Sequence, residues 1–166
     1  MIKPMSNSFK IPIKNKLVTF TFLGRDMLPS FNEVTSVMAI PFTESGELVI
    51  IDLYNRGWDF PGGHVDPGET SPQQTLRREV MEEASMTLHS PYFVQAVGSD
   101  YFDDKASYML FYTAYVDELL DFKQNDESSS RIITDLDTFI NHYEAGDKQL
   151  VRQMIKEAWE LLTKSS

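Results

Sequence analysis

Glu79, Glu82 and Glu83 stand at i, i+3 and i+4 within the run from Gly62 to Met86, GGHVDPGETSPQQTLRREVMEEASM. On a helix, at about 100° per residue, they project from one side. Leu76, Val80, Ala84 and Thr87 repeat at the same helical spacing on a neighbouring side. That side can pack on a core while the glutamates face a cleft. Like charges at i,i+4 repel by roughly 0.2–0.5 kcal/mol in water. A hard divalent cation reverses the sign of that cost, because Mg²⁺ takes oxygen ligands and keeps places for water or substrate phosphate. Taken alone, the triple is equally a solvated helix face. The Gly62-Gly63 pair in front of it shifts the weight toward a site, since glycine lets the backbone approach a ligand closely.

The acids need a helix, and the sequence provides its start. Ser71 is placed as N-cap, Pro72 at the first helical position and Gln74 as the partner closing a capping box. Around this helix, residues 16–23, 33–42, 48–54, 92–97 and 108–116 are rich in β-branched and aromatic residues and read as strands. Residues 1–15 read as a loosely tied arm that adds an edge strand. Trp58 is expected in the core, and Pro91 is expected to break the chain after the helix. Residues 117–130 are polar and acidic and read as a long loop, followed by a short strand at 131–133. Residues 135–143 read as a helix, broken at Ala145-Gly146. A final helix, capped by Asp147, carries Leu150, Val151, Met154, Ile155, Ala158 and Leu162 on one face. This alternation predicts an α/β fold with a sheet packed between helices.

The whole chain narrows the chemistry. Its 166 residues fit one domain, 1–166, with no linker or repeat. A net charge of −10 disfavours a broad nucleic-acid face and docking on an anionic membrane. An acidic protein that handles phosphates needs cations to bridge like charges. With no cysteine there is neither a disulfide nor a thiolate nucleophile. His64, His89 and His142 show no close ligand spacing, and no apolar run is long enough for a signal peptide or a membrane span. A cytoplasmic location follows as the default expectation.

The acidic stretch resembles the Nudix box: G, five residues, E, seven residues, then R-E-U-x-E-E-x-G-U, with U aliphatic. Gly63, then HVDPG, then Glu69 match its first half, and Arg78-Glu79-Val80-Met81-Glu82-Glu83 match its second. Trp58-Asp59-Phe60-Pro61-Gly62-Gly63 is similar to the family's usual run into the box. There are two departures. One extra residue lies between Glu69 and Arg78, and Ser85 stands where the pattern has Gly. The extra residue is expected in the loop or first turn, where it leaves the phase of the glutamates intact. Either the helix ends at Ser85 in a left-handed conformation, at a cost of roughly 1–2 kcal/mol, or it runs on to Thr87.

The resemblance implies a Nudix-type α/β/α sandwich with a mixed β-sheet between helices. It also implies hydrolysis of a nucleoside diphosphate linked to another moiety, with Mg²⁺ or Mn²⁺ as cofactor. The implied metal ligands are the backbone carbonyl of Gly63 with Glu79, Glu82 and Glu83. Glu79 and Glu83 are the main ligands, and Glu82 is a ligand or the base that orients water. Arg78 pairs with Glu69 or Glu82, or reaches phosphate. A further catalytic acid is expected from a late loop. Glu127 is the candidate and Asp126 its neighbour, against the reading of a solvated loop acid. The substrate expected is a small nucleotide such as a (deoxy)nucleoside triphosphate or a nucleotide sugar. A non-catalytic nucleotide-sensing domain and a pyrophosphohydrolase of RNA 5′ ends are the alternatives. A homodimer is compatible with all of these.

Overall fold

The central strand, β3 (Val34–Phe42), alternates its side chains between two apolar layers. Met38, Ile40 and Phe42 enter one layer, and Val37 and Ala39 enter the other. In the computed structural model, which describes residues 7–164, β3 runs parallel to β8 (Ser107–Leu119) and antiparallel to the short β6 (Gly62–His64). The other strands are β1 (Ser8–Ile13), β2 (Lys16–Phe22), β4 (Leu48–Leu53), β5 (Gly57–Asp59), β7 (Met86–Ser99) and β9 (Ser128–Thr134). They form one mixed sheet in the order β1-β2-β7-β8-β3-β4-β5, with β6 added on β3 and β9 on β4. Among the described residues only β3 and β8 pair in parallel.

Helix α1 (Pro72–Ala84) covers one face of the sheet through Leu76, Val80 and Ala84, all fully buried. On the other face lie α2 (Leu136–His142) and α3 (Lys148–Lys164), which insert Phe139, Ile140, Met154 and Ile155. Each such side chain contributes about 1.5–3 kcal/mol by leaving water. The layers are therefore what hold α1, and the acids on it, against the sheet. The fold is the expected mixed sheet between helices.

As expected, the arm adds an edge strand: β1 pairs in register with β2, Ser8 opposite Thr21, and the outermost residues, 1–6, lie outside the described set. Several other elements differ from the expectations. Pro91 does not break the chain but sits inside β7, where the register with β8 shifts between His89 and Tyr92. A bulge accommodates proline because its missing N–H is not needed by the ladder there. The stretch read as a loop at 117–130 is shorter: Asp117–Leu119 complete β8, and Ser128–Ser130 open β9 against β4. Serines carry no strand signal, so the pairing partner decides their state. Trp58 is only half-buried on β5 and stacks on His142 of α2, with ring centroids 3.9 Å apart. No helix of the described residues is long and apolar enough to cross a membrane.

Candidate active site

Helix α1 begins as its sequence dictates. Ser71 is extended and its hydroxyl accepts from the Gln74 N–H at 3.2 Å, with Pro72 at the first helical position. Gln74 reaches back one residue further than in a standard capping box, to the Thr70 N–H at 2.9 Å. The helix runs unbroken from Pro72 to Ala84, so Glu79, Glu82 and Glu83 share one helical phase. The helix stops at Ala84, with Ser85 left-handed at φ 52° and ψ 50°. Of the two readings of Ser85, the strained end is the one adopted.

With Leu76, Val80 and Ala84 turned to the sheet, Glu79 and Glu83 fall on the buried flank, 8% and 4% exposed. Glu82 points outward, its side chain 59% exposed. Gly63 on β6 lies directly against Glu79: a Cβ there would sit 2.6 Å from the Glu79 carboxyl. Gly62 is needed for a different reason. Its φ is +150°, and a Cβ would sit 2.4 Å from the Val37 carbonyl oxygen.

Arg78 ties the loop to the helix. Its Nε donates to Glu69 Oε2 at 2.9 Å and is 3.2 Å from Asp66 Oδ2. Nη1 donates to Glu79 at 2.8 Å and to Glu82 at 3.2 Å, and Nη2 to the His64 carbonyl at 2.8 Å and Glu69 Oε1 at 3.1 Å. A guanidinium has five N–H donors, and all five are engaged here. Arg78 thus pairs with both Glu69 and Glu82 and has no donor left for phosphate. These hydrogen bonds hold the Glu69 carboxyl down to about 2.

Burial, a hydrogen bond to Glu79 and the charges of Glu79 and Glu127 push the Glu83 carboxyl up to about 9. Glu83 Oε1 is buried and has no hydrogen-bond partner among the described residues. An all-oxygen pair with one orphaned buried oxygen, beside a glycine backbone, suits a hard divalent cation. Gly63, Glu79 and Glu83 are brought together, and the charge of Glu127, on the exposed loop ahead of β9, reaches Glu83. Glu82 is held by Arg78 instead, so among the described residues no three acidic or imidazole groups form a ready-made cage.

Two neighbours of the site escape sequence reasoning. Arg56, on the turn between β4 and β5, is half-exposed and lies 3.4 Å from Asp59, and its charge reaches Glu83. Asp59 is buried, and that burial lifts its carboxyl to about 6 against the pull of Arg56. The i,i+3 spacing of Arg56 and Asp59 was the only local signal. Two surface clefts, of about 350 and 370 Å³, lie along β2 and β7, and neither is lined by a box glutamate.

The family profile described as NUDIX domain matches residues 33–154, well over half the chain. The chain belongs to the Nudix family. With that membership comes the class of activity, hydrolysis of an acid anhydride. Solved structures share the Nudix fold at low identity. The Bacillus subtilis pyrophosphohydrolase BsRppH superposes with a TM-score of 0.67 at 16% identity, over 92% of this chain and 97% of that one. The NUDIX domain of Shewanella oneidensis NrtR, complexed with ADP ribose, gives 0.62 at 22% identity over 78% and 88%. The MutT protein of Methanosarcina mazei Go1 gives 0.57 at 25% identity over 77% and 94%. Among curated proteins, none matches the sequence significantly.

Proposed function

We propose that this Nudix protein is a divalent-cation-dependent pyrophosphohydrolase of a small nucleotide, such as a (deoxy)nucleoside triphosphate or a nucleotide sugar. The observation that carries the reading is the buried Glu79–Glu83 pair, with its orphaned oxygen, set against Gly63. Mg²⁺ or Mn²⁺ bound there would neutralise the phosphates and polarise the attacking water. The Gly63 carbonyl, Glu79 and Glu83 hold it, and Glu127 completes the acidic side. Glu82, held by Arg78 through one oxygen, serves as a further ligand or orients water with its other oxygen. Arg78 keeps the loop and helix in register and does not touch substrate. Arg56, half-exposed at the rim, meets the phosphate charge. The preserved acids argue against a sensing role without turnover, and the net charge of −10 argues against long RNA.

The test is a screen for phosphate and pyrophosphate release. It covers nucleoside triphosphates, nucleotide sugars, dinucleoside polyphosphates and triphosphorylated RNA, with Mg²⁺ or Mn²⁺, with and without added phosphatase. Turnover of a small nucleotide supports the reading. Tight nucleotide binding without release from any substrate would replace it with sensing.

A further inference from the structure

A helix leaves its last four carbonyls without intrahelical partners. At the end of α1 the Met81 carbonyl accepts from the Ser85 N–H at 3.1 Å, and the next three are taken up by Asn125 and by residues of β9. The Glu82 carbonyl accepts from Asn125 Nδ2 at 3.2 Å. The Glu83 carbonyl accepts from Ser128 Oγ at 2.7 Å and from Asn125 Nδ2 at 3.4 Å. Arg131 Nη1 donates to the Ala84 carbonyl at 2.8 Å and to the Ser85 carbonyl at 3.0 Å. Asn125 also faces the other way, its Oδ1 accepting from the backbone N–H of Glu127 at 3.0 Å and of Ser128 at 2.9 Å. Its amide orientation is chemically forced, with NH₂ toward carbonyls and oxygen toward N–H groups. The Glu127 carbonyl is held in turn by the Tyr54 N–H at 3.0 Å. One amide side chain thus grips both the backbone that carries Glu83 and the backbone that carries Glu127.

We propose that Asn125, braced by Ser128, is a positioning residue that sets the Glu127 carboxylate beside Glu83 so that both serve one divalent cation. This rests on the metal role given above to Glu83 and Glu127. A helix cap alone would explain the bonds to Glu82 and Glu83, but not the pair of bonds to the acid loop. Ser128 is fully buried and bonded both to Asn125, at 2.7 Å, and to Glu83. The unit is therefore rigid at the point where the loop acid leaves the chain.

The test is Mn²⁺ affinity of the full chain, read by electron paramagnetic resonance for the parent, Asn125→Ala, Glu127→Gln and the double variant. Each single change should weaken Mn²⁺ binding by about tenfold or more. The double variant should bind no more weakly than Glu127→Gln alone, because Asn125 acts through Glu127. Parent-like affinity in Asn125→Ala overturns the proposal, and so do losses that multiply in the double variant. If Asn125→Ala does not fold, Ser128→Ala in the same cycle decides by the same criteria. A parent that binds no Mn²⁺ contradicts the metal role itself, whereas a binding parent with unaffected variants contradicts the positioning alone.

Discussion

At the scale of single residues, Glu83 is the most diagnostic. Its ordinary value of 4.5 is raised to about 9 in the folded protein. A carboxyl raised in this way contributes stability that is present below 4.5 and is lost as pH rises through about 9. In EDTA, the parent and Glu83→Gln should therefore melt alike near pH 5. The variant should then become the more stable as pH rises to 9, by at most about 1.4 kcal/mol per pH unit. Thermal melts at pH 5, 7 and 9 check this, and a pH-independent gap contradicts it. Asp59 shifts the same way but completes its change near 6, so the difference above neutral pH belongs to Glu83. Gly63 gives a second prediction. A Cβ there meets the Glu79 carboxyl at 2.6 Å, so Gly63→Val should displace that group. Turnover should fall about a hundredfold or more while the protein still folds, since displacements near 1 Å cost that much. Steady-state kinetics beside a melt separates the two effects.

At the scale of elements, the end of α1 carries the strain. Ser85 is left-handed, which costs a non-glycine roughly 1–2 kcal/mol. Its hydroxyl accepts from the Lys123 N–H at 3.1 Å, a bond contributing about 0.5–1.5 kcal/mol. Ser85→Gly relieves the first and loses the second, so it should stay within about 1 kcal/mol of the parent in urea unfolding. Ser85→Ala keeps the strain and loses the bond, and should be less stable by about 1 kcal/mol. Equal losses in both variants would show that the strain is not there. What was legible at this scale follows from range. The start of α1 was legible because Ser71, Pro72 and Gln74 act within one turn. Its glutamates were legible because helical spacing is local. β6 was not, since Gly62–His64 has no strand signal and is fixed by Ser36–Met38 of β3. The grip of Asn125 and Ser128 was not legible either, because it joins residues more than forty positions apart.

At the scale of the molecule, the net charge of −10 sets the field a substrate meets. A free nucleoside triphosphate should be turned over with higher kcat/KM than the same triphosphate at the end of an RNA oligomer. The gap should narrow as salt rises and the repulsion is screened, over a Debye length of about 10 Å at 0.1 M. Side-by-side kinetics at low and physiological salt read both. A preference for RNA that weakens with salt would point instead to a basic track along the strand.

A divalent cation held by the buried carboxylates against Gly63 is the feature of the proposed hydrolysis most directly open to measurement. The direct measurement is phosphate or pyrophosphate release from the best substrate of the nucleotide screen, followed in EDTA and then after adding Mg²⁺ or Mn²⁺ in excess. Release should stop in chelator, return with the metal, and be lower by orders of magnitude in Glu83→Gln at every metal concentration. Undiminished release in EDTA, or full activity in Glu83→Gln, would contradict the metal role.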